Sequence, residues 1–154
     1  MGLPGDRGPG EGGSAVKTIV VGVDGSAHGD GALDFALEEA ALRGTELRVV
    51  CAWEIPPGVA FAAVYTAEAL DAFRAEAQSI LNEALARVAG SQPAVKCLGK
   101  VVEAAPADAL LQEARDAGMV VVGSRGRGGF ASLLLGSVSQ QVVHHAACPV
   151  VVVR

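Results

Sequence analysis

Two short stretches hold residue types that could do chemistry together. One is a glycine-rich loop, GSRGRGGFASLLLGS, running from Gly123 to Ser137. Glycines let a backbone approach an anion closely, and successive N–H groups can form an anion-binding nest. Ser137 adds a hydroxyl, and Arg125 and Arg127 add local positive charge to an acidic chain. A helix starting near Ser137, with Ser137 as its cap, would turn the positive end of its dipole toward the loop. The second stretch is Gly22-Val23-Asp24-Gly25-Ser26, whose chemistry is a carboxylate. Set against each other, the two put Asp24 opposite a bed of amides, which is the chemistry of a phosphate ligand.

The loop is not of the Gly-Lys-Ser/Thr phosphate-binding type, because it contains no lysine, and GVDGS does not read as the dinucleotide fingerprint GxGxxG. Other tempting residues carry less. His144 and His145 are adjacent on a helix and so point about 100° apart, which is poor geometry for a shared metal. His28 reads as a solvated residue of a first helical turn. Cys51, Cys97 and Cys148 stand far apart with no CxxC, so they read as reduced structural thiols rather than a disulfide framework.

These loops need elements to position them. Thr18 to Val23 is short, β-branched and almost wholly apolar, as a strand buried on both faces of a parallel sheet should be. A helix follows, with Ser26 as N-cap and Gly44 as C-terminal stop. Glu46 to Trp53 is a second strand. From about Thr66 to Ala89, Leu70, Phe73, Ala77, Leu81, Ala84 and Val88 recur at helical spacing, with Gly90 expected to end the helix. Val95 to Val102 is a third strand, broken by Gly99. Pro106 opens a third helix, reaching about Ala117 and capped by Gly118. Met119 to Val122, a helix to about Ala147, and Val150 to Val153 complete the pattern. Strands alternating with helices predict a doubly wound five-stranded parallel sheet with helices on both faces. In such sheets ligands sit at the carboxyl ends of strands, where the winding reverses.

The chain has 154 residues, 51% of them hydrophobic, enough for one domain with a sizeable core. Residues 1–15 hold six of the 20 glycines and two of the seven prolines, and are expected to be a disordered tail before a folded unit from residue 16. A formal net charge of -5 argues against nucleic-acid binding through a basic face. No apolar run is long enough to span a bilayer and no signal-peptide core is present, so the expected location is cytoplasmic.

The motif Gly123-x2-Gly126-x9-Gly136-Ser137 resembles the signature of the universal stress proteins, in their ATP-binding branch. VVGVDGS near the start, VVEAAPADAL in the middle and CPVVVV at the end are similar to that family too. The resemblance spans about Lys17 to Arg154. It implies a sheet ordered 3-2-1-4-5 and a site for ATP, with Mg2+ or Mn2+ held mainly by the phosphates. Asp24 would lie by the ribose and the metal-phosphate region, and Ala52 would meet the adenine through its backbone. Gly123 would lie beside the ribose, so that Gly123→Glu would abolish binding and spare the fold. Gly126, Arg127, Gly128, Gly129, Gly136, Ser137 and Val138 would cradle the phosphates. Gly22, Ser124 and Arg125 complete the candidate set as members of the two loops. The resemblance also implies a homodimer through the last strand and a nucleotide-dependent regulator or sensor in stress response. The alternatives are a slow ATPase or autophosphorylating enzyme, with Ser137 or Ser139 as acceptor, and a nucleotide-free dimeric interaction module.

Overall fold

Apolar residues on consecutive positions can all be buried only if both faces of a strand are covered. The computed structural model, which describes residues 17–55, 66–128, 132 and 134–154, does this. The expected tail at 1–15, most of the loop after Trp53 and Gly129 lie outside the described residues. Five strands, β1 (Ile19–Gly22), β2 (Leu47–Trp53), β3 (Cys97–Glu103), β4 (Met119–Gly123) and β5 (Val150–Val153), form one parallel sheet in the order β3-β2-β1-β4-β5. This is the order that the resemblance implies. The helices are α1 (Ala27–Arg43), α2 (Ala67–Ser91), α3 (Pro106–Glu113) and α4 (Ser137–His145).

The period-2 alternation of strand side chains divides the core in two. Ile19, Val21, Leu47, Val49, Cys51, Trp53 and Val121 pack with Leu33, Ala36 and Leu37 of α1 and Ala77, Leu81 and Val88 of α2. Val20, Val50, Val120 and Val122 point the other way, onto Ala109 and Leu110 of α3 and Val142 of α4. The helices therefore cover both faces of the sheet.

Ser26 caps α1 as expected, its Oγ accepting the Gly29 N–H at 3.1 Å. Gly44 ends that helix in the left-handed region, at φ 61°, where a Cβ would be strained.

Four details differ from the sequence expectation. Gly90 lies inside α2, which continues to Ser91 because the Gln92 N–H still reaches the Val88 carbonyl. Gly99 does not break β3. The strand runs through it, and a Cβ there would lie 2.7 Å from Leu85 Cδ1, so the missing side chain makes room for α2. Gly118 is no helix cap: α3 ends at Glu113 in a 3₁₀ turn, Ala114–Asp116, and a Cβ at Gly118 would strike Lys17. Finally, α4 is capped by Gly136, not Ser137. Gly136 is extended (φ -75°, ψ 170°) while its carbonyl already accepts the Gln140 N–H, which makes Ser137 the first helical residue.

Candidate functional site

Because β1 and β4 are neighbours while their chain successors lie on opposite sides, the loops after them face each other across one crevice. The β4–α4 loop is pinched shut at its base. The Gly136 N–H donates to the Ser124 carbonyl at 2.7 Å, and Ser139 Oγ lies 3.1 Å from that oxygen and 3.0 Å from the Gly136 carbonyl. These bonds bring the N-terminus of α4 back to the end of β4. They also dispose of Ser139 as a phosphoryl acceptor, since its buried hydroxyl is spent on backbone carbonyls. Both serines line the crevice, but Ser137 is exposed where Ser139 is buried.

Asp24 joins the two loops. Its Oδ1 accepts the Ser26 N–H at 3.0 Å and the Ser26 hydroxyl at 2.5 Å, which sets the turn into α1. Its Oδ2 accepts the Arg127 N–H at 3.2 Å from the glycine-rich loop. The Arg127 guanidinium reaches across to α2, where Nη2 lies 2.7 Å from Glu76 Oε1. The Glu76 hydrogen bond, foremost, holds that guanidinium above its ordinary value, so it stays charged at every working pH.

The crevice opens into a cleft of about 450 Å³, within the range of small-molecule sites. Of the candidate residues, Gly22, Asp24, Ala52, Gly123, Arg125, Gly126, Arg127, Gly128, Gly136, Ser137 and Val138 line it. Ser124 does not. It is buried beneath the loop, donating its N–H to the Val153 carbonyl at 2.7 Å and accepting the loop-closing bond. Gly129 lies outside the described residues. Gly123 lines the cleft but has a second neighbour. A Cβ there would lie 2.7 Å from the His28 carbonyl oxygen and 2.8 Å from its carbonyl carbon. Its glycine is thus required by the approach of α1 to β4, and the expectation that a Gly123 side chain spares the fold is corrected.

Apolar side chains of β2, α2 and α3, among them Cys51, Trp53, Phe73, Ile80 and Leu110, line the cleft as well, with Ala52 and Glu54. Sequence reading missed Trp53, Phe73 and Glu76 as lining residues. The i, i+3 and i+4 spacing of Phe73, Glu76, Ala77 and Ile80 does put them on one helical face. Only the packing of α2 over β2 and β3 shows that this face overhangs the cleft. Trp53, the chain's single tryptophan, sits under the Arg74 guanidinium, 5.6 Å from its ring centroid, and so reports on this wall. Burial, reinforced by the Asp24 charge, pushes the Cys51 thiol up to about 11. At neutral pH it is an apolar wall group rather than a nucleophile.

No group of three His, Cys, Asp or Glu side chains among the described residues could hold a metal ion by itself. His144 and His145 are both exposed on α4, their rings 6.4 Å apart. No described helix is long and apolar enough to cross a membrane.

Comparison with known proteins adds three findings. The sequence profile of the Universal stress protein family matches residues 15–154. A universal stress protein of Mycobacterium tuberculosis is 42% identical over 141 residues, covering 88% of this chain and 45% of its own length. The chain therefore spans about half the length of the mycobacterial relatives it matches. Among solved structures, a universal stress protein in complex with cAMP is 30% identical, with a TM-score of 0.67 over 92% of this chain and 98% of that one. One from Archaeoglobus fulgidus in complex with dAMP is 26% identical, with a TM-score of 0.66 over 90% and 98%.

Proposed function

The chain belongs to the universal stress protein family, and from that premise we propose that its cleft binds an adenine nucleotide, ATP in particular, with Mg2+ or Mn2+ held mainly by the phosphates. The observation that carries this reading is the capping of α4. Gly136 supplies no side-chain acceptor to the first turn, which leaves its N–H groups to the cleft. A phosphate is the ligand those donors suit. Adenine nucleotides in the related structures with cAMP and dAMP support the same class of ligand. The apolar lining that includes Ala52 and Trp53 suits a base, and Asp24, which lines the same cleft, would serve a ribose or a metal-phosphate group.

On this reading the protein is a nucleotide-dependent regulator in stress response rather than a metabolic enzyme. A hydrolase needs a group that orients or deprotonates the attacking water. Asp24 already accepts bonds on both oxygens, and Glu76 holds Arg127. Neither is arranged as a base. Calorimetry with Mg-ATP should therefore give one site per chain, and ADP release should stay at background over hours. Steady ADP release that Gly136→Asp removes would instead establish an ATPase. No heat with any adenine nucleotide would leave an interaction module.

We also propose a homodimer through β5. Among the described residues that strand is at the sheet edge, paired only with β4 and half-buried along its length, and Val143 on the adjoining α4 is 46% exposed. An apolar edge strand is a template for pairing with another chain, and a two-fold pair is the commonest assembly. Light scattering should give twice the chain mass. A monomer at all concentrations would exclude the dimer.

A further inference from the structure

Arg127 is engaged by carboxylates of this same chain at two points, its backbone N–H and its guanidinium Nη2. Asp24 takes its N–H at 3.2 Å, and Glu76, 51 residues away in sequence and on the opposite wall, takes its guanidinium at 2.7 Å. A ligand phosphate that arrives at the loop must draw the guanidinium away from Glu76 or share it. The Arg127 and Glu76 side chains are 58% and 52% exposed, so the pair is easily broken. The negative charge of Glu76 nevertheless stays beside whatever phosphate displaces it.

From this geometry we infer that Glu76 is an internal competitor for the phosphate loop, and that it sets how strongly the cleft prefers a nucleotide with a long phosphate chain over the bare nucleoside. This rests on the nucleotide reading above and names a specificity-determining residue for it. The effect scales with ligand charge. Adenosine carries no phosphate, so it neither competes for Arg127 nor feels the carboxylate. ATP does both.

The test is a titration of wild type, Glu76→Gln, Arg127→Ala and the double variant with Mg-ATP and with adenosine, followed by calorimetry and by Trp53 fluorescence. Glu76→Gln should tighten ATP about three- to tenfold, as expected for loss of one exposed ion pair and one nearby like charge. Adenosine should change less than about twofold, having no charge to respond. The gain for ATP should shrink as salt rises, and it should be smaller in the Arg127→Ala background. Glu76→Asp, which keeps the charge, should stay near wild type.

If wild type binds neither ligand, the nucleotide reading fails and this inference with it. If wild type binds ATP but Glu76→Gln binds it equally or more weakly, this inference alone is overturned, and Glu76 instead positions Arg127 for the phosphates. An equal gain for ATP and adenosine would overturn it too, because the residue would then act through the shape of the cleft.

Discussion

Gly136→Asp is expected to abolish ATP binding while leaving the protein as stable as before, or more so. Gly136 is the N-cap of α4, with φ -75° and ψ 170°, a backbone open to any residue. A Cβ there would meet Arg125 Cα at 3.5 Å and the Ser124 carbonyl oxygen at 3.6 Å, which is ordinary contact. An aspartate at an N-cap accepts N–H bonds from the second or third helical residue, here Val138 or Ser139, where glycine accepts none. That exchange adds a few tenths of a kcal/mol, and the favourable charge at the positive end of the dipole adds roughly 0.3–1 kcal/mol. The same carboxylate takes the donors assigned to the phosphates and sets a negative charge against them. Losing two charge-assisted hydrogen bonds, at roughly 1.5–3 kcal/mol each, weakens binding by more than about 100-fold.

Calorimetry and a thermal melt on one preparation give both halves of this result. Gly136→Asn separates its causes, because the amide oxygen takes the N–H bonds without the charge. An intermediate loss is expected for it. If Gly136→Asp bound ATP normally, the phosphates would have to lie away from the start of α4, and the observation that carries the proposed function would be gone.

Glycine is not needed for the fold at every position of the signature. At Gly126 a Cβ would lie 2.6 Å from Asp24 Oδ2, whereas only ordinary contacts surround one at Gly136, and nothing lies within 4 Å of one at Gly128, a loop glycine outside the signature. Their backbones are not left-handed either. At Gly136 and Gly128 the protein makes no demand of its own for glycine, which favours a ligand occupying the space.

What the sequence made legible follows from which forces act locally. Runs such as Ile19-Val20-Val21 and Val120-Val121-Val122 have one stable environment, a strand covered on both faces, so the sheet was readable from them. Ser26 and Gly44 declare the ends of α1 through cap chemistry that involves only near neighbours. The glycine spacing from Gly123 to Ser137 located the loop that lines the cleft. Glu76 and Phe73 were hidden because their place in the cleft depends on how α2 crosses β2 and β3, a tertiary fact with no local signature. Ser137 was misplaced by one residue as the cap. Its hydroxyl is the better cap chemically, yet the tight bond from Gly136 N–H to the Ser124 carbonyl fixes Gly136 as the extended residue that precedes the helix.

Gly123 shows the limit most sharply, because a signature glycine can be required by a ligand or by the protein's own backbone. Gly123→Ala is expected to destabilise the fold by about 1–3 kcal/mol, the range for forcing extra volume into packed structure. The added methyl would lie 2.7 Å from the His28 carbonyl oxygen, 2.8 Å from its carbonyl carbon and 2.9 Å from its Cβ. Backbone cannot rotate away as a side chain end can. Relief requires α1 to lift from β4, loosening the contact of Val121 with Ala32, Leu33 and Ala36 in the larger core. The lift would also pull on Ser26, the residue that caps α1 and anchors Asp24, so binding should weaken along with stability. The midpoint of thermal unfolding should fall by roughly 2–12 °C. Loss of ATP binding in a Gly123 variant is therefore no proof of contact with the nucleotide, whereas loss in Gly136→Asp with an unmoved melting point is. An unchanged melting point for Gly123→Ala would mean that α1 stands further from β4 than these distances require, and would return the residue to the ligand.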